Sequence, residues 1–120
     1  MKLNHLNLSV TNVADAITFF ETYFGFKHID TKGDNLIAVL IGNDRFELVL
    51  MSDTMNRKGN RTYPDAFHIG FKFDTIDKVN ETYQKLKAGG ISVEREPQKI
   101  RDSFGFYFHF QNIMIEVGTI

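Results

Sequence analysis

The sequence predicts an α+β fold, built as one domain from two copies of a βαβββ unit. The order of strand-like and helix-like segments is the same in both halves of the 120-residue chain, and a pattern repeated once is typical of a duplicated supersecondary unit. A chain of this length has material for one hydrophobic core. We therefore expect a single domain over residues 1–120, with a first module at about 2–51, a linker at 52–65 and a second module at about 66–118.

The first module begins with a predicted strand and helix. Apolar and polar residues alternate over Lys2–Val10, as in a strand that buries one face. Thr11 or Asn12 can cap the helix that follows, and Gly25 is suited to end it. Turn-forming residues then separate three more predicted strands, near Phe26–Asp30, Leu36–Ile41 and Arg45–Met51.

The second module repeats this order. Ala66–Phe73 alternates in the same way, and Asp74 or Thr75 can cap a second helix. Gly89 and Gly90 provide its end. Three predicted strands complete the module, near Ile91–Arg95, Phe104–Phe110 and Ile113–Val117.

The two modules can be aligned residue by residue. Placing His5 on His68 also brings the two predicted helices into register. At the last strands, the segment NDRFEL lies over NIMIEV, which superposes Glu47 on Glu116. The alignment depends on element order and residue pattern more than on identity.

Composition narrows the functional classes. The net charge of -1 argues against nucleic acid as the main partner, because phosphate binding needs a basic excess. The absence of cysteine excludes disulfides and thiolate metal sites. No apolar run approaches the length of a membrane span, and the amino terminus has no signal-like apolar region. We therefore expect a cytoplasmic protein that binds neither nucleic acid nor a membrane.

Four residues on the polar faces of predicted strands have the chemistry of metal ligands. Alternation places His5 and His68 on the polar face of each first strand, and Glu47 and Glu116 on the polar face of each last strand. Such a residue by itself is usually only solvated. Two equivalent pairs in a repeat instead favour a site for a divalent metal such as Zn, Ni, Mn, Fe or Co, if these faces converge.

The last two strands of the second module and the last strand of the first also offer residues for substrate binding. Alternation places Tyr107 and His109 on the side of the predicted site, while the neighbouring phenylalanines face the core. Val49 and Met114, together with Tyr107, would give this surface an apolar part. For His109, a polar position at a strand end is an equally good interpretation.

The chain contains three segments, LNHLNLSVTNVADAITFFETYFGF, FHIGFKF and FYFHFQNIMIEVG, that resemble the vicinal oxygen chelate superfamily. That superfamily includes glyoxalase I, fosfomycin-resistance proteins, extradiol dioxygenases, methylmalonyl-CoA epimerase and bleomycin-resistance proteins. The resemblance covers nearly the whole chain and implies paired βαβββ modules whose sheets form a cup around a metal. His5, Glu47, His68 and Glu116 fall where glyoxalase I and the epimerase have their ligands; the fosfomycin-resistance and dioxygenase branches do not need Glu47.

The resemblance implies a glyoxalase-like, lactoylglutathione lyase-like metalloenzyme that acts on a small oxygen-chelating substrate. Either Glu47 or Glu116 would move a proton between adjacent carbons through an enediolate, and the other would stay a ligand. Two alternatives remain open: a metal-free protein that binds a small molecule or drug, and a thiol or water transferase of the fosfomycin-resistance type. The resemblance also implies a homodimer, in which His5 and Glu47 of one subunit share a metal with His68 and Glu116 of the other.

Overall fold

Residues 1–58 and 62–120 are described by the structure, a computed structural model. The chain divides into two compact units, Met1–Thr62 and Tyr63–Ile120, and each contains one helix and one four-stranded mixed sheet. The α+β class and the βαβββ order of both modules are thereby confirmed. The first unit contains β1 (His5–Val10), α1 (Val13–Phe24), β2 (Lys27–Lys32), β3 (Ile37–Ile41) and β4 (Glu47–Ser52), and the second contains β5 (His68–Phe73), α2 (Ile76–Ala88), β6 (Gln98–Ile100), β7 (Ser103–Phe110) and β8 (Ile113–Thr119).

The first and last strands of each unit are neighbours. The strand orders are β1-β4-β3-β2 and β5-β8-β7-β6. The pairs β1–β4 and β5–β8 are parallel, and the other pairs are antiparallel. Parallel neighbours need a crossover connection, which α1 and α2 begin. As a result, the strand that holds a histidine lies beside the strand that holds a glutamate in both units.

Both helices begin and end at residues that the sequence predicts. The Asn12 side chain accepts a hydrogen bond from the Asp15 amide, and the Thr75 side chain accepts one from the Lys78 amide. Each satisfies an amide that the first helical turn leaves unpaired. Gly25 ends α1 with φ of 69°, a left-handed conformation that glycine adopts without a steric penalty.

Each helix covers one face of its own sheet. In the first unit α1 contacts β2, β3 and β4, and Phe20 and Leu50 are fully buried. In the second unit α2 contacts β5, β7 and β8, and Ile115 is fully buried. Burying a side chain of this size stabilises the fold by roughly 1.5–3 kcal/mol. The opposite face of each sheet, which the helix does not cover, holds the polar residues that alternate with this core.

The predicted strand at Ile91–Arg95 is wrong. That segment is irregular, and the short strand β6 forms at Gln98–Ile100 instead. Val93 is buried, so the alternation in this segment reflects the packing of an apolar side chain and not the hydrogen-bonded pairing of a strand. β6 pairs with the start of β7 across a two-residue turn, in which Arg101 has φ of 53°. Its position therefore depends on the hairpin partner rather than on local alternation.

The predicted loop at 52–65 begins at Ser52, which is the last residue of β4. A single 3-10 turn, Asp53–Met55, follows that strand, and the Ser52 side chain accepts a hydrogen bond from the Thr54 amide there. Residues 59–61 of the loop lie outside the described residues. No helix in the described part of the chain is both long and apolar enough to cross a membrane.

Candidate metal and substrate site

In the first unit, His5 and Glu47 lie directly beside each other. They are paired residues of the parallel strands β1 and β4, so their side chains leave the same face of the sheet. His5 is exposed and Glu47 is half-buried. The Glu47 side chain forms no hydrogen bond or ion pair with any of the residues that the structure describes.

In the second unit, His68 and Glu116 lie on neighbouring strands and on the same face of the sheet. β5 and β8 pair so that His68 lies beside Met114 and Gly70 lies beside Glu116. His68 Nε2 is 3.6 Å from Glu116 Oε1, which is longer than a hydrogen bond. A Cβ at Gly70 would lie 3.7 Å from that same oxygen, so the carboxylate extends over a position without a side chain.

The predicted superposition of Glu47 on Glu116 is wrong. Relative to the histidine of its own unit, Glu116 lies two residues farther along the last strand than Glu47 does. In the first unit the histidine pairs with the glutamate itself. In the second unit His68 pairs with Met114, and Glu116 lies two residues farther along β8. Each glutamate still lies on the same sheet face as the histidine of its unit, because side chains alternate with a period of two along a strand.

Both histidines are oriented through Nδ1. His5 Nδ1 is 2.8 Å from Asn4 Oδ1, and His68 Nδ1 is 2.9 Å from the carbonyl oxygen of Ala66. These oxygens only accept, so Nδ1–H donates in each case. In the neutral ring Nε2 then keeps its lone pair, which is the arrangement found in metal-ligating histidines.

Glu116 has a second partner, Lys72. Lys72 Nζ is 2.8 Å from Glu116 Oε2 and 3.4 Å from Ser103 Oγ. The carboxylate therefore has Oε1 directed at His68 and Oε2 held by an ammonium. The Glu116 side chain is 15% exposed and that of Lys72 is 38% exposed, so water screens the ammonium more than the carboxylate.

The predicted substrate-binding residues of the second unit adjoin this pair. Tyr107 pairs with Glu116, and its ring meets the His68 ring edge-on at a centroid distance of 5.7 Å. Met114 pairs with His68 on one side and with His109 on the other. The structure thus brings His68, Glu116, Tyr107, Met114 and His109 onto one face of one sheet.

Val49 belongs to the first unit. It pairs with Asn7 of β1 and Val39 of β3 and is half-buried. It shares the face of Glu47, two residues earlier on β4. This face of the first sheet therefore carries both polar and apolar side chains, with Val49 and Val39 next to Asn7.

Two open cavities lie on the second sheet, one on each side of Tyr107. One has a volume of about 640 Å³ and includes Gln98 and His109 in its lining. The other has a volume of about 650 Å³ and includes His68, Lys72 and Glu116. Volumes of this size are typical of small-molecule sites.

Comparison with known proteins identifies the family. The sequence profile of the Glyoxalase/Bleomycin resistance protein/Dioxygenase superfamily matches residues 2–114. The chain belongs to this superfamily. It is 37% identical to a possible glyoxalase from Bacillus cereus, with a TM-score of 0.82, over 98% of this chain and 97% of that one. No curated protein matches.

Two more distant members of known structure share the fold. A lactoylglutathione lyase from Agrobacterium tumefaciens is 18% identical, with a TM-score of 0.76, over 98% of this chain and 92% of that one. A fosfomycin resistance protein from Listeria monocytogenes is also 18% identical, with a TM-score of 0.76, over 100% of this chain and 93% of that one.

Members of this superfamily commonly use a divalent metal, and the donor set in each unit fits one. Each unit supplies one imidazole with a free Nε2 and one carboxylate on the same sheet face. Nitrogen and oxygen ligands of this kind suit first-row divalent metals. Among the described residues, neither unit contains a group of three or more histidine, aspartate or glutamate side chains placed to hold an ion. Each unit thus brings together one histidine and one glutamate of the predicted ligand set, a pair that we call a half-site.

Sequence reasoning missed two residues of the site. Lys72 lies on the polar face of β5, four residues after His68, but alternation alone gives no sign that it reaches Glu116 on β8. Asn4 precedes the first strand, and its contact with His5 depends on side-chain orientation. The sequence offers one signal for Lys72: it is an even number of residues from His68, so both side chains lie on the same face of β5.

Proposed function

We propose that this chain is a glyoxalase-like, metal-dependent enzyme that acts on a small substrate with two neighbouring oxygen atoms. The observation on which this depends is that each unit holds one imidazole and one carboxylate on a single sheet face, with the imidazole oriented through Nδ1. Metal-ligating histidines almost always donate the N–H of their other ring nitrogen to an oxygen in this way. His5, Glu47, His68 and Glu116 would hold the metal.

A bound divalent metal, whether Zn, Ni, Mn, Fe or Co, would act as a Lewis acid that stabilises negative charge on the substrate oxygens. The protein would supply the proton transfer. A glutamate carboxylate can take a proton from one carbon and return it to the next, provided that it can change partners during turnover. Glu47 meets that condition better than Glu116, because its carboxylate is bound to no other described residue.

The substrate would lie against the exposed face of the second sheet. Tyr107 adjoins both cavities and contacts the His68 ring, so it can stack against a substrate and donate a hydrogen bond from its hydroxyl. His109 adds a polar group and Met114 an adaptable apolar one. In the first unit, Val49 would give an apolar part to the sheet face that holds Glu47.

The complete site would combine the half-sites of two subunits in a homodimer. His5 and Glu47 of one subunit would then share a metal with His68 and Glu116 of its partner, which gives two equivalent sites. This arrangement is supported by the incomplete ligand set in each unit, and two-fold symmetry would generate both sites at once.

A metal-free binding protein is the second candidate, and Lys72 favours it. An ammonium 2.8 Å from Glu116 Oε2 already neutralises one carboxylate of the predicted site, so that unit does not require a cation to be electrostatically balanced. The exposed face of the second sheet would then bind an aromatic or cationic small molecule next to Tyr107.

A turnover screen separates these candidates. Purified protein, supplemented with Zn, Ni or Mn, is assayed with the methylglyoxal–thiol hemithioacetal, fosfomycin with a thiol or water, and acyl-CoA epimers. The enzyme proposal expects turnover of at least one of these, lost with a chelator and restored by metal. The absence of turnover, together with small-molecule binding that a chelator leaves unchanged, would favour the binding protein.

A further inference from the structure

The ammonium group of Lys72 has two side-chain partners in the second unit. It lies between Glu116 Oε2 at 2.8 Å and Ser103 Oγ at 3.4 Å. Ser103 Oγ in turn donates to the Thr119 carbonyl oxygen at 2.9 Å, which fixes the hydroxyl. A Cβ at Gly118 would lie 3.0 Å from Lys72 Nζ and 2.9 Å from Ser103 Oγ, so both side-chain ends would have to shift if this residue had a side chain.

The two oxygens of the Glu116 carboxylate have different neighbours: Oε1 is directed at His68, and Oε2 is bound by Lys72. Glu116 extends over Gly70 from the neighbouring strand, with His68 on one side and Lys72 on the other. A carboxylate can bind a metal through both oxygens or through one. Lys72 occupies one lone pair of Oε2 and places a positive charge beside it, so Oε1, which is directed at the imidazole, is the oxygen more accessible to a metal.

Among the described residues of the first unit, no cation pairs with Glu47 as Lys72 pairs with Glu116. The residue at the matching position of β1, four after His5, is Ser9, and the Glu47 carboxylate has no ion-pair partner among the described residues. The two half-sites therefore differ in charge as well as in strand register.

We propose that Lys72 is a counter-cation of Glu116, whose positive charge weakens the hold of the site on a divalent metal. This inference rests on the proposed metal-dependent function. Like charges repel, and the positive charge of Lys72 acts on the same carboxylate that the metal would bind. Lys72 is thus a positioning residue, which acts through Glu116.

The test is a metal titration of four full-length variants. Lys72→Met removes the charge. Lys72→Gln also removes it but keeps a hydrogen-bond donor for Oε2, and it replaces the methionine variant if that variant fails to fold. Lys72→Arg keeps the charge. Lys78→Met is the matched control, because Lys78 pairs with Asp74 at 3.4 Å on the exposed helix α2 and its loss changes the net charge equally. Dissociation constants for Zn and Ni are measured by competition with a chromogenic chelator.

We expect Lys72→Met and Lys72→Gln to bind metal roughly tenfold tighter or more, while Lys72→Arg and Lys78→Met stay near the wild-type value. A gain in affinity is a result that misfolding does not produce. If the wild type binds metal and neither uncharged variant binds it tighter, the inference is overturned and the proposed function stands. If no variant binds metal, both are overturned. If only the uncharged variants bind, the inference holds and the metal-dependent function of the wild type is overturned.

Discussion

The two glutamates of the candidate site have different surroundings, although their sequence contexts are alike. Glu116 is directed at His68 through one oxygen and held by Lys72 through the other. Glu47 is half-buried beside His5 without a side-chain partner among the described residues. An anchored carboxylate suits a permanent ligand, and an unanchored one suits a group that accepts and returns a proton.

Substitution of each glutamate by glutamine tests this division. Glu47→Gln should lower kcat by roughly 10²–10⁴-fold while metal remains bound at saturating concentration. Glu116→Gln should mainly weaken metal binding, because it removes a charged ligand and leaves Lys72 without its counter-charge. Chelator competition and steady-state kinetics measure both effects. The opposite pattern would assign the roles the other way round.

The orientation of His5 gives a second prediction at the residue scale. Asn4→Ala removes the oxygen that accepts from His5 Nδ1 at 2.8 Å but leaves the backbone bond from the Glu47 amide to the Asn4 carbonyl. Loss of such a partner typically weakens metal binding by roughly 10–100-fold. Asn80→Ala, at an exposed position of α2, is the control. Equal affinities for the two variants would show that Asn4 does not orient the imidazole.

At the element scale, two glycines of the second sheet should respond differently to alanine. A Cβ at Gly105 would lie 2.1 Å from the Val117 carbonyl oxygen, whereas a Cβ at Gly70 would make only ordinary contacts with Glu116. Gly105→Ala must therefore shift β7 against β8, at a cost of at least about 2 kcal/mol in the free energy of unfolding. Gly70→Ala should stay within about 0.5 kcal/mol of wild type. Urea unfolding checks both; similar stabilities for the two variants would contradict the packing argument.

The elements also show what the sequence could predict. Alternation is local, so it predicts β1, β7 and β8 and the faces of His5, Tyr107 and Glu116 correctly. Register depends on the partner strand, and for this reason the sequence misses the two-residue offset of Glu116 and the position of β6. The pairing of Lys72 with Glu116 joins residues far apart in the chain, and no local pattern indicates it.

At the scale of the whole molecule, the proposed homodimer predicts complementation between inactive variants. His5→Ala and His68→Ala should each lose metal and turnover. In a mixed dimer of the two, one site would lack both histidines and the other would be intact. Random exchange of subunits should therefore restore about a quarter of the wild-type sites. Activity and bound metal after mixing, refolding and gel filtration provide the readout.

Restoration would require that the histidines of one site come from different subunits. If mixing restores nothing while gel filtration shows dimers, the two histidines of a site belong to one chain. If the protein is monomeric and each single variant still loses metal, the shared-site arrangement is also wrong. The control mixes His5→Ala with itself, which should restore nothing under any arrangement.

Metal content tests the central claim most directly. Protein purified without chelator, or dialysed against Zn, Ni or Mn and then freed of excess, is measured by elemental analysis together with the His5→Ala and His68→Ala variants. The account predicts about one divalent ion per chain for wild type, and far less for either variant. A wild-type protein that retains no ion after this loading, or variants that retain as much as wild type, would contradict it.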